Sequence, residues 1–427
     1  MTDDRQPNRD LWNPQVQGRS ADDLTSDAEA ALRREWQRAW EIPLPFYRDR
    51  YEAAGFTRDD MPPLEQIPRA TKPDHRADEA ANPRWGTHRA VGLDTAARLG
   101  VSTGTTGKPT YIFYGRNDVD AMVESSARQA WRVGMRPGTR FTHAWPLGIY
   151  PTGVQGGRSY LEIGALEIAV GPPFSKEAAL EHLQIWEELE PDAFQVTASQ
   201  FATYESVAAA NGIDFPALLD GSILVYLEAS CQYDGPRTRI EDAYGVRLHN
   251  LSGASEVPAF SVSDCRFHNG FRVPGDHFVV EVVDPETGIP VPDGERGSLV
   301  VSAFGLDAFY LRYDIEDIVV RERGECPCGE TGPRYRFIGR GADGAVVGDT
   351  TIMPLDVQLA LDAHGAPEFQ FDAGDTSGAL RIRVEGAGNG AEVEGLLADA
   401  LAVSVDAEVV EPGSLPRSAF KPRRVAS

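Results

Sequence analysis

The chain has 427 residues, of which 41% are hydrophobic and 25% are charged, and its formal net charge is −24. This length predicts two or three domains, and the acidic balance argues against non-specific binding to nucleic acid or to an anionic membrane surface. No apolar run reaches the roughly 18 residues that a membrane helix needs. Together with the polar start MTDDRQPNRD and only four cysteines, this predicts a cytoplasmic protein without a disulfide framework.

The first predicted element is a helix from Thr25, with Ser26 as its cap and large apolar residues repeating every four positions. The segment PLPFY, residues 43–47, ends this helix. A loop-rich stretch is expected from there to about Arg76.

Strand-like and helical patterns alternate over residues 95–240, which predicts an α/β core with a parallel sheet. Residues 277–303 contain two strand-like runs around a Pro/Gly turn, which indicates a β-hairpin. After residue 340, an alternating strand, an amphipathic helix and a further strand predict a small α+β unit.

Residues 101–110, VSTGTTGKPT, place glycines, hydroxyls and one lysine in a single loop. Small residues let backbone N–H groups approach an anion, and hydroxyl and ammonium groups add donors. Gly104 and Gly107 are three residues apart and Lys108 precedes Pro109, so the spacing differs from the Walker A motif. From its residues alone, the loop either binds phosphate in another architecture or is a polar turn.

Four later stretches carry residue types suited to nucleotide chemistry. In SGASE, Glu256 offers a carboxylate of the kind that holds Mg²⁺ beside substrate phosphates, or belongs to a plain polar loop. In RYDIED, Asp317 offers two acceptors for a ribose diol, or belongs to a solvated acidic turn. FIGRGAD lies at the expected domain joint, and Lys421 lies in a basic segment near the C-terminus.

The order of these stretches resembles the adenylate-forming superfamily of acyl-CoA ligases, and most closely the phenylacetate–CoA ligase family. Supporting segments include PFYRDRYEAAGF, LEQIPRATKPDHR, VSTGTTGKPT, DHFVVEVVDPETG, LRYDIED, CPCGETGPRYRFIGR and SLPRSAFKPRRV, and the resemblance spans about residues 25–425. It implies an α/β fold with a large N-terminal adenylation domain of mixed sheets and helices, residues 1–340, which holds ATP and the acyl group. A small mobile α+β lid domain, residues 341–427, follows.

The resemblance also implies roles for individual residues. Lys421, Lys108 and Glu256 match the catalytic set, with Glu256 as the Mg²⁺ ligand, and Asp343 matches the hinge of the lid. The residues implied to bind ATP are Ser102, Thr103, Gly104, Thr105, Thr106, Gly107, Lys108, Gly253, Ser255, Asp317 and Arg340.

The aromatic-rich stretch HAWPLGIYPTG occupies the position of a family segment that lines the acyl pocket. The residues implied to line that pocket are Trp145, Ile149, Tyr150 and Gly153. The alternative for these side chains is ordinary core packing.

Three cysteines and one histidine could form a zinc site, since they make a normal ligand set for structural Zn²⁺. The candidate ligands are Cys265, His268, Cys326 and Cys328. Several members of the family carry such a zinc, but their histidine falls where this chain has Phe271 and Arg272. The alternative is three buried thiols without a metal, and Cys231 is expected in the core.

The implied function is that of an AMP-forming acid–thiol ligase. ATP activates an aromatic carboxylic acid of the phenylacetate or benzoate type to an acyl-adenylate, and the acyl group then passes to CoA. After Asp343 this chain has GAVVGDTT, where the family has Arg-Gly in a segment that lines the CoA tunnel. The alternative is therefore an adenylating enzyme of secondary metabolism that uses an amine, a carrier thiol or a small inorganic nucleophile. A homodimer is expected, because relatives often form one.

Overall fold

The structure is a computed structural model that describes residues 11–102, 110–362, 364–365, 367–372, 374–375, 378–386, 388–416 and 424–426. The chain divides into two compact units. Unit 1 contains residues 1–141, 145–168 and 251–336, and unit 2 contains residues 142–144, 169–250 and 337–427. The predicted division into domains 1–340 and 341–427 stays a prediction.

The α-helices are α1 Pro14–Gln17, α2 Ala21–Glu41, α3 Pro45–Ala53, α4 Lys72–Ala81, α5 Arg116–Arg132, α6 Pro151–Gln155, α7 Arg158–Glu162, α8 Lys176–Leu189, α9 Ala198–Asn211, α10 Phe215–Leu219, α11 Asp234–Tyr244, α12 Pro354–Asp362 and α13 Gly390–Leu401. Short 3₁₀ helices span Leu64–Gln66, Ala229–Gln232 and Gly341–Asp343. In the described part of the chain, no helix combines the length and apolar character needed to cross a bilayer.

The strands are β1 Ala70–Thr71, β2 Arg98–Val101, β3 Tyr111–Tyr114, β4 Arg140–His143, β5 Leu166–Ala169, β6 Ala193–Thr197, β7 Ile223–Leu227, β8 Arg247–Gly253, β9 Ser261–Ser263, β10 Phe271–Arg272, β11 Phe278–Val283, β12 Arg296–Ala303, β13 Tyr313–Arg321, β14 Arg334–Arg340, β15 Ala345–Val347, β16 Thr350–Ile352, β17 Phe369–Asp372, β18 Gly374–Asp375, β19 Leu380–Glu385, β20 Val405–Val410 and β21 Val425–Ala426.

Helix α2 begins at Ala21 rather than at the predicted Thr25. Its cap is Ser20, whose side-chain oxygen accepts the Asp23 N–H at 3.1 Å, so the cap predicted at Ser26 is wrong. The loop-rich stretch predicted up to Arg76 is also wrong, because α3 and the start of α4 lie within it. Each of these two helices has a proline in its first turn, where the ring fits helical geometry and the missing N–H costs nothing.

Unit 1 is organised around a mixed sheet in the strand order β10-β14-β13-β12-β11, with β1 added in parallel to β13. The predicted hairpin is confirmed, since β11 and β12 pair antiparallel with Phe278 opposite Ala303. Its turn is held by Asp284, whose Oδ1 accepts the Thr287 N–H at 2.7 Å. The hairpin of β2 and β3 is a separate two-stranded element of the same unit.

Unit 2 confirms the predicted parallel sheet and the α+β segment. Strands β6, β7 and β8 pair in parallel through Ile223, which lies opposite Ala193 and Arg247. After residue 337, the sheet β20-β19-β17-β21 packs its apolar face against α13, where Leu380 and Leu397 are fully buried. Helix α12 contacts α11, and Arg239 and Asp362 form an ion pair between them.

Candidate active site

The hairpin of β2 and β3 carries the predicted phosphate loop. Val101 lies opposite Tyr111, and the Ser102 N–H donates to the Thr110 carbonyl at 3.0 Å, which closes the base of the loop. The Thr110 N–H donates back to Ser102 Oγ at 3.3 Å, and Ser102 is buried. The predicted ATP-binding residues Thr103, Gly104, Thr105, Thr106, Gly107 and Lys108 lie outside the described residues, so their roles stay predictions.

Tyr114 connects this hairpin to the SGASE stretch. Its ring packs so closely on Gly100 that a Cβ at that position would lie 2.5 Å from a ring carbon. Its hydroxyl donates to the Ser255 carbonyl at 3.2 Å. The structure therefore brings the base of the predicted phosphate loop and the predicted Mg²⁺ stretch together, although about 150 residues of sequence separate them.

Glu256 is held at both its backbone and its side chain. The Tyr310 hydroxyl donates to the Glu256 carbonyl at 2.6 Å. The Lys72 ammonium lies 3.4 Å from Glu256 Oε1, and Glu256 is only 9% exposed. Burial raises the pKa values of Tyr310 and Tyr114. The negative charge of Glu256 raises both pKa values further. Both phenols therefore stay protonated and donate at neutral pH.

Lys72 is a site residue that the sequence reasoning did not identify. It is the first residue of α4, directly after β1, and β1 pairs with β13 through Ala70 opposite Tyr313. A capping box fixes the helix start, because Thr71 and Asp74 exchange backbone and side-chain hydrogen bonds. The sequence signal was TKPD, a helix-start pattern that places the lysine but does not name its partner.

The stretch predicted to line the acyl pocket lies beside the strand that leads into the loop. The Val101 N–H donates to the Ile149 carbonyl at 2.9 Å, and Arg98 Nη2 donates to the Gly153 carbonyl at 3.1 Å. Trp145 is buried, whereas the Ile149 side chain is 54% exposed. These contacts place the segment next to the hairpin, and its role toward the acyl group stays a prediction.

Two further residues of this segment, Tyr150 and Gly153, were also predicted to line the acyl pocket, and the structure gives their backbone contacts. Tyr150 is half-buried and caps α6, and its carbonyl accepts the Gly153 N–H at 2.9 Å. A Cβ at Gly153 would lie 2.7 Å from the backbone N and O of Gly148, so this turn requires glycine.

The remaining predicted nucleotide residues are distributed over both units. Asp317 is buried on β13, and its charge adds to burial in raising the pKa of Tyr335. Gly253 ends β8, where a Cβ would lie 2.7 Å from the Phe260 carbonyl. In unit 2, Arg340 is the exposed last residue of β14, and Asp343 lies in the following 3₁₀ helix. Lys421 lies outside the described residues, and the roles of all these residues stay predictions.

The three predicted cysteine ligands lie together, and we call them the three-cysteine cluster. The sulfurs of Cys265, Cys326 and Cys328 lie within 4.8 Å of one another, and all three residues are buried. The sulfurs of Cys265 and Cys326 are hydrogen-bonded at 3.6 Å, and the interaction with Cys328 raises the pKa of the Cys265 thiol and lowers that of the Cys328 thiol. His268 is held differently, because its Nδ1 lies 2.7 Å from Asp264 Oδ2.

A pair of stacked histidines is formed by His75, on the same helix α4 as Lys72, and His88. The rings of His75 and His88 are 4.0 Å apart, and His75 Nε2 lies 3.1 Å from the Tyr47 hydroxyl. His88 Nδ1 lies 2.7 Å from Asp78 Oδ2. Burial lowers the pKa of both histidines, and that of His88 falls to about 4. Both rings are therefore neutral at pH 7.

Comparison with known proteins places this geometry among ligases. No family model matches the chain. Curated relatives include the phenylacetate-coenzyme A ligases of Thermus thermophilus, at 28% identity over 84% of this chain and 80% of the relative, and of Escherichia coli, at 26% identity over 96% of both. The corresponding Pseudomonas putida ligase is 27% identical over 82% of this chain and 78% of its own length.

The chain is also similar to solved structures of CoA ligases. A 2-hydroxyisobutyryl-CoA ligase in the post-adenylation state, in complex with R3-HIB-AMP, has a TM-score of 0.87 at 25% identity, covering 99% of this chain and 94% of that one. The same ligase in the thioesterification state, in complex with 2-HIB-AMP and CoA, gives 0.72 at 26% identity, covering 100% and 94%. A benzoate CoA ligase from Burkholderia xenovorans, at 0.56 and 19% identity over 78% and 69%, shares the fold. The predicted fold class and family resemblance are confirmed.

Proposed function

We propose that this chain belongs to the phenylacetate–CoA ligase family of adenylate-forming enzymes and is an AMP-forming acid–thiol ligase for an aromatic carboxylic acid. The reaction begins with ATP and the acid, passes through an acyl-adenylate and ends with a CoA thioester and AMP. A non-CoA acceptor is not favoured, because the curated relatives and the similar structures described above are CoA ligases.

The observation that carries the proposal is the link from the predicted phosphate loop to Glu256. Tyr114 connects the base of that loop to Ser255, and Tyr310 holds the carbonyl of the next residue. The base of a glycine- and hydroxyl-rich loop next to a stretch with a buried carboxylate is the arrangement that a nucleoside triphosphate with Mg²⁺ requires. This placement supports adenylation more directly than any single motif.

Glu256 fits Mg²⁺, since this ion normally takes one or two carboxylates and completes its shell with phosphate oxygens and water. When bound, the ion would neutralise charge that develops on the departing pyrophosphate. In the protein without bound ion, the Lys72 ammonium lies 3.4 Å from Glu256 Oε1 and supplies the positive charge at this position.

In the adenylation step, a carboxylate oxygen of the substrate attacks the α-phosphorus of ATP. The bond from that phosphorus to the β-phosphate oxygen breaks, and pyrophosphate leaves with the electron pair. The protein's part is positioning and charge stabilisation, which dominate the catalysis of phosphoryl-type transfers. We assign Lys108 and Lys421 to the phosphates and the substrate carboxylate, and Asp317 and Arg340 to the ribose.

In the second step, the CoA thiolate attacks the acyl carbonyl and AMP leaves. We assign Asp343 as the point about which residues 341–427 turn between the two steps. A cytoplasmic homodimer is the assembly that we expect for this enzyme.

The aromatic class of the acid is the finer part of the proposal. It rests on Trp145 and Tyr150, which lie in a segment hydrogen-bonded to the strand before the loop. A flat ring matches aromatic walls through offset or edge contacts. Because a structurally similar enzyme is a 2-hydroxyisobutyryl-CoA ligase, a small branched hydroxy acid is the alternative substrate class to test.

The test is pyrophosphate release from ATP and Mg²⁺ over a panel of phenylacetates, benzoates and 2-hydroxyisobutyrate, each run with and without CoA. We expect release that depends on an aromatic acid, with the matching CoA thioester identified by mass spectrometry. Release with 2-hydroxyisobutyrate alone would overturn the aromatic assignment and leave the ligase reaction intact. Adenylate formation without any thioester would overturn CoA as the acceptor.

A further inference from the structure

The three-cysteine cluster does not supply the ligands of a closed zinc site. Structural Zn²⁺ is almost always held by four protein ligands in a tetrahedron. Among the described residues, the group of donor atoms around these sulfurs contains the three cysteines and no imidazole or carboxylate. His268, the predicted fourth ligand, instead pairs with Asp264 at 2.7 Å.

The group that does contact the sulfurs is a guanidinium. Arg272 is only 2% exposed, and its Nη2 donates to Cys328 Sγ at 3.3 Å. Its Nη1 donates to the Gly332 carbonyl at 3.4 Å, and its Nε finds no acceptor in the described part of the chain. The sulfur cluster therefore supplies one of two hydrogen-bond acceptors of a buried cation, and the negative charge of Glu330 also raises the pKa of Arg272.

The position of this arginine is fixed by its backbone. Arg272 lies on β10, opposite Arg334 of β14, while the sulfurs come from the neighbouring turns at 265 and 326–328. Arg334 is directed elsewhere, since it donates to the carbonyls of Asn269 and Arg323. Of the two paired arginines, Arg272 is thus the one that reaches the cysteines.

We propose that the guanidinium of Arg272 takes the place of a metal ion at the three-cysteine cluster. A guanidinium carries a permanent positive charge and five N–H donors, so it can hold sulfur acceptors from separate turns in one place. The N–H···S hydrogen bond from Arg272 then joins strand β10 to the turn at 326–328, and the hydrogen bond between the Cys265 and Cys326 sulfurs, 3.6 Å apart, joins that turn to the one at 265, instead of metal–sulfur bonds. This inference is independent of the proposed reaction.

The first test is the metal content and chelator response of the full-length wild-type protein. After purification without added metal and again after incubation with excess ZnCl₂ and desalting, we expect no stoichiometric zinc by elemental analysis. A strong zinc chelator should leave the Tm unchanged. About one tightly held zinc ion per chain, or a Tm lowered by the chelator, would overturn the proposal.

The second test restores a metal ligand at the same position. Arg272→His supplies an imidazole beside the three sulfurs, and we expect this variant to take up about one zinc ion and to acquire a chelator-sensitive Tm. Arg272→Lys, the matched control, keeps the charge and should remain free of zinc. A folded Arg272→His variant without zinc uptake, or zinc uptake by Arg272→Lys, would overturn the proposal. If neither variant folds, the wild-type measurement decides.

Discussion

Replacing Tyr310 by phenylalanine tests whether Glu256 is positioned through its backbone. The change removes one hydroxyl that donates to the Glu256 carbonyl at 2.6 Å and keeps the ring. A buried acceptor left without its donor costs about 1–3 kcal/mol. If the same energy is lost from the positioning of the carboxylate in the adenylation transition state, the rate falls by about 5- to 150-fold. Tyr114→Phe removes the longer 3.2 Å hydrogen bond to Ser255 and should cost less.

The assay is acid-dependent pyrophosphate release with the Mg²⁺ concentration varied, together with thermal unfolding of each variant. We expect Tyr310→Phe to lower kcat more than it raises the KM for ATP, and to raise the Mg²⁺ concentration that gives half the maximal rate. Tyr111→Phe is the matched control, because Tyr111 lies on the same strand as Tyr114 and is 41% exposed. A folded Tyr310→Phe enzyme with the rate and Mg²⁺ dependence of the control would refute the positioning argument.

Two further predictions follow from neighbouring groups. Lys72→Met removes the cation 3.4 Å from Glu256, so we expect unfolding of the ligand-free protein to become easier by about 1–2 kcal/mol. Mg²⁺ should raise the Tm of this variant more than that of the wild type, and equal shifts would contradict the interpretation. The second concerns His88. Burial and the nearby positive charge of Arg89 lower the pKa of His88 to about 4, below the value of 6.5 in the unfolded chain. Only the unfolded chain takes up the proton between these values, so stability should be full above pH 6.5 and fall by about 3 kcal/mol toward pH 4. His88→Gln should flatten the dependence of Tm on pH over this range, whereas His364→Gln, at an exposed position, should not.

Much of the fold was predictable because local patterns matched the final contacts. The alternating strands and helices of residues 95–240 and the hairpin of β11 and β12 were predicted from periodicity and turn residues, and the structure contains both. The error at residues 43–76 has a clear origin, since prolines were interpreted only as helix breakers. Pro45 instead opens α3, where its fixed φ favours the first turn.

The candidate site was predictable only as separate parts. Ser255 and Glu256 were identified from their motif, but Lys72 reaches Glu256 only because β1 pairs with β13, some 240 residues later in the chain. His268 was predicted from the sequence as a zinc ligand, and that role stays a prediction. Three residues after Cys265 it closes a turn with positive φ, and its ring reaches Asp264 instead of the sulfurs.

The discontinuous makeup of unit 1 has a consequence for the synthesis of the chain. Its early strand β1 hydrogen-bonds through the Ala70 N–H to the Arg312 carbonyl, and Asp118 accepts the Ala308 N–H at 3.1 Å. Arg132 on α5 forms a buried bidentate pair with Glu330. None of these contacts can form until residues 308–330 have been synthesised and have emerged from the ribosome. Residues 1–141 and 145–168 of unit 1 are therefore synthesised before the residues that pack against them, so their apolar surface stays exposed, and the yield of folded protein should depend on chaperones and on translation speed.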